Sequence, residues 1–461
     1  MSAIISALIF SASQIAVNNI FSDFVNSLEE TAPNSKIENQ YFSYDNSRMS
    51  DNLGILMKKI KVNSLVIPEH SVSMNSKREI NLEMKNVSLS FSFSWEYSIN
   101  HISDFGTASV SVKDGSFSTI ILVKDSTLLR FSSKKTKLDL TGMQILVSRP
   151  DGVNQNWLFK MFREEIEDVI SELMSDLIEN TINEYNIGSM YYKLDNLDIG
   201  FDYSLTESPY ISEDWFSFKS KGIFVQDSDR NYNPPIPVPS SVNEEVKEGI
   251  QIVVSDYLAN SLSYSAYTAG LLDLNITNET LPNSFPFELT TTVIGILIPG
   301  LVDQYGLDKP VSLMCSFSNV PLIEFIENQE WSVQLRMSEM SGCDLLVEDE
   351  TALVLDAMFV FETQVFLEDW KIKGEIWTLE VRNVNVVSSE IDVNGEDVQS
   401  TVNTILDTYR NSVNNDFLKN GIRLPRNQRF DLTSTKIKSG KGYMLAYLEP
   451  RLNFVFDQLF E

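Results

Sequence analysis

Few residues in this chain have the types and spacing that chemistry needs. The only histidines, His70 and His101, have no partner at the spacing of a metal site or of a nucleophile–base pair. Ser439-Gly440-Lys441-Gly442 sets glycines around a lysine but lacks phosphate-loop spacing, and it reads as a hairpin turn. Carboxylates are abundant, 64 Asp and Glu in all, so a glycosidase pair is formally open. No nucleophile, base or metal constellation accompanies them. The chain therefore reads as a non-enzyme that calls for no cofactor and no metal. Cys315 and Cys343 are the only cysteines, too few for a four-cysteine zinc site or a disulfide framework. They form either one disulfide, in an oxidising compartment, or two buried thiols. Asn86-Val87-Ser88, Asn275-Ile276-Thr277 and Asn278-Glu279-Thr280 fit the N-glycosylation pattern. Chance yields a few such triplets, so they carry meaning only in a chain that enters the secretory pathway.

Charge narrows the partners. The chain has a formal net charge of −28, with 21 basic against 31 acidic residues up to Pro235 and 15 against 33 after it. Such a field repels nucleic acid and disfavours broad adhesion to anionic membranes. Solubility is its simplest meaning. Against that background three basic clusters stand out: Lys58-Lys59 with Lys61, Lys77-Arg78, and Lys134-Lys135 with Lys137. Should they meet at one end of a domain, they form a local tip for anionic headgroups and transient membrane contact; otherwise they are solvated turns.

The elements that position these residues follow from periodicity. At 461 residues two large domains are expected, and no run is apolar enough for a transmembrane helix. Ile5, Leu8, Ile9, Ala12, Ile15, Ala16, Ile20 and Phe24 recur at three- and four-residue spacing, which predicts an amphipathic helix over 4–24. The same run could serve as a secretory signal, but no Lys or Arg precedes it. From Lys58 to Val147 the period is two. Ile80, Leu82 and Met84 alternate in one phase, and Val87, Leu89, Phe91, Phe93, Trp95 and Tyr97 in the other. The slip at Lys85-Asn86 is the mark of a β-bulge, and long bulged strands suit a barrel with one buried face. A long helix over 154–185 carries Leu158, Phe162, Ile166, Val169 and Leu173 on one side and a solvated acidic face on the other. Four prolines in Tyr232 to Ser241 make a semi-rigid linker. The plan then repeats: a broken helix over 294–305, strands over 311–387, a helix over 396–419 and strands over 430–456. Domains are accordingly expected at 1–231 and 242–461, around the linker 232–241.

Local strings identify the plan. Gly222-Ile223-Phe224, Asn233-Pro234-Pro235, Val254-Ser255-Asp256-Tyr257 and Ala269-Gly270-Leu271 occur in the order of the central region of the bactericidal/permeability-increasing, lipopolysaccharide-binding and lipid-transfer protein family. Trp157 to Phe162, Phe287 to Thr291, and Gly421-Ile422-Arg423-Leu424-Pro425 resemble that family's helix and strand junctions. The resemblance spreads over much of the chain. It implies an α+β fold of two antiparallel β-barrels, each with a long helix, joined by a central sheet into a boomerang with pseudo-two-fold symmetry. It also implies a phospholipid-like ligand in each barrel, and a secreted or endomembrane-lumenal location, with the cytoplasm left open by the missing basic leader. The family's first-domain disulfide has no counterpart here, because no Cys precedes Cys315. Its antibacterial members are cationic and this chain is acidic, which points to lipid carriage before lipopolysaccharide recognition.

Lipid binding needs a concave apolar surface and no catalytic group. The expected first pocket uses Ile5, Leu8, Ile9, Ala12 and Ala16, facing Leu158, Phe162, Ile166, Val169 and Leu173. The second uses Val293, Ile294, Ile298, Leu301 and Val302 with Val402, Leu406, Tyr409 and Val413. Lys134, Lys135 and Lys137 are the headgroup candidates, and phospholipid or another acyl lipid the partner. Alternatively the protein recognises a microbial glycolipid at the first barrel's tip, or is a scaffold whose barrels are filled by their own side chains.

Overall fold

The structure, a computed structural model, describes residues 7–448 except 36, 46–51, 76–77, 100–101, 125–127, 141, 152–162, 185, 187–188, 195–196, 231–233, 237–248, 282–283, 299, 329, 369–370 and 424–434. Of the proline-rich linker only Pro234, Pro235 and Ile236 fall among the described residues. The chain is an α+β protein in which two curled antiparallel sheets each carry a long helix. It divides into two compact units. One comprises Ala12–Gly188 and Ser208–Phe218, the other chiefly Ser189–Glu207 and Lys219–Glu449.

In the first unit the sheet runs in the order Gln40–Asp45, Asn52–Val66, Glu79–Ile99, Ile102–Lys124 and Arg130–Asp139. Glu69–Asn75 and Gln144–Ser148 pair alongside the two longest strands. Strict alternation makes one face of it apolar. Ile80, Leu82, Met84, Leu89, Phe91 and Trp95 are all buried. The phase slip is real: the register with Ile102–Lys124 shifts between Met84 and Val87. Asn86 takes φ 56° there, a left-handed conformation that Asn adopts more readily than most residues. One extra residue thus keeps both halves of the strand facing the same core.

The helix Gln14–Thr31 starts ten residues later than the spacing predicts, and Leu8–Ser13 is a strand. Phe10 and Ala12 are buried in alternation there, a period of two that four residues of overlap disguise as helical. Ser13 ends the strand and caps the helix, its Oγ accepting from the Ala16 N–H at 3.3 Å. Ile15, placed on the apolar stripe by spacing, is 63% exposed. Val17, Phe24, Val25 and Leu28 form the buried face instead. The second helix, Arg163–Glu184, buries Ile166, Ile170, Met174, Ile178 and Ile182, and exposes Glu164, Asp168, Glu172, Asp176 and Glu179.

In the second unit the sheet order is Leu274–Ile276, Val311–Phe317, Val333–Val347, Glu350–Glu368, Lys371–Ser389 and Ile422–Arg423. Cys315 and Cys343 are direct cross-strand partners in it and are joined by a disulfide. The helix Gly395–Val413 packs Val398, Val402, Ile405 and Leu406 onto this sheet and widens into a π turn over Asn414–Leu418. The expected helix over 294–305 is two short pieces, Thr291–Ile294, which ends on Gly295, and Gly300–Tyr305. Lys436–Gly440 and Tyr443–Leu448 form a hairpin whose turn is Lys441-Gly442, with Gly442 at φ 80°. The helix Asp256–Thr268 has no apolar stripe in the sequence. It buries Tyr257, Asn260, Ser261, Ser263 and Ser265, a mostly polar face.

Candidate functional site

Five asparagines fix how helices and loops meet the strands. Each side-chain amide pairs with both the N–H and the C=O of one backbone residue, as a neighbouring strand would. Asn403, on the helix Gly395–Val413, accepts from Val381 N at 2.7 Å and donates to Val381 O at 2.9 Å. Asn414 does the same to Ile376, at 2.9 and 3.0 Å. Asn260 holds Ile323, Asn278 holds Leu289 and Asn186 holds Phe131. Val381 and Ile376 lie beside the bulges of Lys371–Ser389, where the strand register shifts. The amides supply the partners that buried backbone polar groups require.

Asn186 follows the second helix of the first unit and so seats Phe131 against that helix's end. This creates a cavity. Val17, Ile20, Phe21 and Phe24 come from the first helix, Ile182 from the second, Ile80 and Ile121 from the sheet, and Phe131 and Phe216 close it. Among the described residues every lining side chain is hydrocarbon. Ile80, Ile121, Ile182 and Phe216 are buried, whereas Ile20, Phe21 and Phe131 are half-buried and mark the mouth. The volume is about 60 Å³. His70 is tied to the first helix through Ser22 Oγ at 2.9 Å. Among the described residues no group of three or more His, Cys, Asp or Glu could hold a metal ion.

Several residues expected to form the first pocket sit elsewhere. Leu8, Ile9 and Ala12 are on the opening strand, not on a helix. Ala12 and Ala16 are completely buried, and Ile166 and Val169 are packed in the interior. Leu173 is half-buried. None of these lines the cavity, and Ile5, Leu158 and Phe162 lie outside the described residues. The cavity lies further along both helices, where Ile20 and Phe24 were legible from spacing. Phe131, Ile182 and Phe216 were not, since only tertiary packing gathers them. In the second unit Ile294, Ile298, Leu301, Val402 and Leu406 belong to one buried cluster, with Tyr409 and Val413 packed against it. Val293 and Val302 are half-buried beside it.

The three basic clusters do not meet. Lys58 pairs with Ser94, and Lys134 with Ile120, which in turn faces Asn81. From Asn81 to Ser94 is roughly 40 Å of strand at ~3.3 Å per residue. Lys58 is also bound to Glu96 at 2.6 Å. Arg78 does lie at the Lys134 end, its carbonyl accepting from Val123 N at 3.2 Å, and Lys77 is outside the described residues. Lys134 and Lys137 are exposed on Arg130–Asp139, at the end of the sheet order, with Lys134 4.0 Å from Glu79.

The strongest electrostatic shift belongs to a different cluster, on the sheet of Tyr191–Lys193, Ile199–Asp202 and Ile223–Gln226. The Lys193 ammonium at 2.7 Å, the Tyr191 hydroxyl at 2.8 Å and Arg230 at 2.6 Å hold the Asp227 carboxyl down at about 2. Burial and the Asp227 charge push the Tyr191 phenol up to about 12. Arg230 stacks over the Tyr191 ring at 4.1 Å. Three donors, two from the strand Tyr191–Lys193 and one from the turn after Ile223–Gln226, converge on one carboxylate, which marks the cluster as a staple of the fold.

Residues 192–448 match the family model described as "LBP / BPI / CETP family, C-terminal domain". The chain is 22% identical over 404 residues to the bactericidal permeability-increasing protein of Sebastes schlegelii, covering 84% of this chain and 83% of that one. It is 24% identical to human lipopolysaccharide-binding protein over 48% of this chain and 47% of that one. To human phospholipid transfer protein it is 22% identical, over 56% and 53%. The crystal structure of lipopolysaccharide binding protein aligns with 97% of this chain and 99% of that one, at 16% identity and a TM-score of 0.49.

Proposed function

The chain belongs to the LBP / BPI / CETP family, and on that premise we propose that it is a lipid-binding protein that carries a phospholipid-like ligand in the first unit. The carrying observation is the cavity between the helices Gln14–Thr31 and Arg163–Glu184, walled among the described residues by hydrocarbon alone. Names among the relatives speak of lipopolysaccharide binding and of phospholipid transfer, and an acyl chain is the part those ligands share. Its removal from water is favourable by ~25 cal/mol per Å². At about 60 Å³ the cavity is small beside a whole acyl chain. Deeper entry moves the half-buried mouth residues Ile20 and Phe21 outward with their helix. In this reading the first unit is the lipid site, and the packed cluster around Leu301, Val402 and Leu406 in the second unit is core first. The disulfide Cys315–Cys343 supports an oxidising, secretory location.

Uptake of a fluorescent-acyl phosphatidylcholine from vesicles tests the site. Ile20→Trp fills the mouth from a half-buried position and should weaken uptake about tenfold, equivalent to ~1.4 kcal/mol. Unchanged uptake by a folded Ile20→Trp protein would count against this cavity.

A second reading, contact with anionic headgroups through Lys134, Lys135 and Lys137, draws on the exposure of Lys134 and Lys137. Lysines on a terminal strand also guard against edge-to-edge pairing. In the same assay, Lys134→Glu with Lys137→Glu separates the two. Slower uptake from anionic vesicles, at low salt only, supports headgroup contact; salt-independent, unaltered uptake leaves the lysines as edge guards.

A further inference from the structure

We infer that Asn275 is an N-glycan acceptor and that Asn278, three residues on in an overlapping sequon, is not. The inference rests on the secretory location proposed above. The run Asn275-Ile276-Thr277-Asn278-Glu279-Thr280 offers two acceptors; both are exposed, and they differ in what their amides bind. Asn275 is exposed on Leu274–Ile276, a strand at the end of its sheet's order that, among the described residues, pairs only with Val311–Phe317. Ile276, beside it, is buried, so alternation turns Asn275 away from the core. The Asn275 amide makes no hydrogen bond to any described residue. Its backbone carbonyl is fixed by Thr280 Oγ1 at 2.9 Å.

Asn278 is one of the five asparagine clamps. Its Oδ1 accepts from Leu289 N at 2.6 Å, and its Nδ2 donates to Leu289 O at 3.1 Å. Closing that ring on a single residue uses the N–H on the same side of the amide as Oδ1. A glycosylated side chain is a secondary amide, and in its trans form the sugar takes that side while the remaining N–H points away. A glycan on Asn278 therefore breaks the donation to Leu289, whose side chain is buried in the second unit's core. On Asn275 it costs no contact.

In the transfer, Asn275 Nδ2 attacks the anomeric carbon of a polyprenyl-diphosphate-linked oligosaccharide. The bond from that carbon to the diphosphate oxygen breaks, the polyprenyl diphosphate leaves, and Nδ2 gives up one proton. The product has a physical use. A strand at the end of a sheet is open to pairing by other chains, and a glycan rooted on Leu274–Ile276 hinders their approach.

The test is to secrete the full chain from a eukaryotic cell, release N-glycans enzymatically in ¹⁸O water, and map the label by peptide mass spectrometry. Thiol alkylation of the same sample reports the Cys315–Cys343 bond. The expected result is ¹⁸O at Asn275, none at Asn278, and loss of the label in Asn275→Gln and in Thr277→Ala. Label at Asn278, or none at Asn275 in a secreted and oxidised protein, overturns the assignment by itself. A retained chain with reactive thiols and no label overturns the secretory reading as well.

Discussion

Asp227 shows how much a single side chain in this protein is asked to do. It accepts from Lys193, Arg230 and Tyr191 at once, joining Tyr191–Lys193 to the segment after Ile223–Gln226. Its carboxyl titrates near 2 in the folded chain, against ~3.9 when unfolded. Between those values the unfolded state binds more protons, so stability rises with pH there. The cluster's contribution is complete above about pH 4 and is lost as the pH falls toward 2. Asp227→Asn should remove that dependence locally. The protection of the Ile199–Asp202 amides, taken as exchange rates corrected for the intrinsic pH dependence, is expected to fall between pH 4 and pH 2 less steeply in the variant than in the parent, from a lower starting value. Identical profiles would mean that Asp227 does not staple this sheet. None of this was legible beforehand: Tyr191, Lys193, Asp227 and Arg230 are ordinary surface residues in one dimension, and only the register of Ile199–Asp202 with both neighbours brings them together.

Elements fared better where burial follows one period. The alternation of Glu79–Ile99, including its slip at Asn86, was readable because each residue's face decides its type. The acidic face of Arg163–Glu184 was readable for the same reason. Reading failed where two periods overlap, as at Leu8–Ser13, and where a buried face is polar, as on Asp256–Thr268. The asparagine clamps were invisible too, since Asn carries no periodic signal and its partners are backbone atoms. Their energetic weight is testable on Gly395–Val413. Asn403→Leu leaves both polar groups of Val381 without their partner, and Val381 is 2% exposed. At ~1–3 kcal/mol for each orphaned buried group, denaturant unfolding followed by a probe in the second unit should show a loss of about 2–6 kcal/mol. Asn403→Asp keeps the acceptor alone and should rescue only part. Thr404, exposed next to it, should tolerate Ala within ~0.5 kcal/mol. Equal losses at 403 and 404 would assign the effect to helix propensity instead.

At the scale of the whole molecule, composition and periodicity carried the α+β class and the succession of long strands and helices, and the ordered strings carried the family. The cavity was half legible. The first helix contributes through Ile20 and Phe24, already on the predicted stripe, but its start was misplaced and the lining from Phe131, Ile182 and Phe216 comes from three distant parts of the chain. Binding by hydrocarbon surface leaves no spaced polar motif to find. What the protein carries is therefore the decisive property. Lipid extraction and mass spectrometry of the full chain, purified without detergent, tests it most directly. Acyl lipid at about one molecule per protein, reduced in Ile20→Trp, is the result this account predicts. A folded protein that carries no lipid and takes none up from vesicles would contradict it, and would make the cavity between the two helices an unfilled corner of the core.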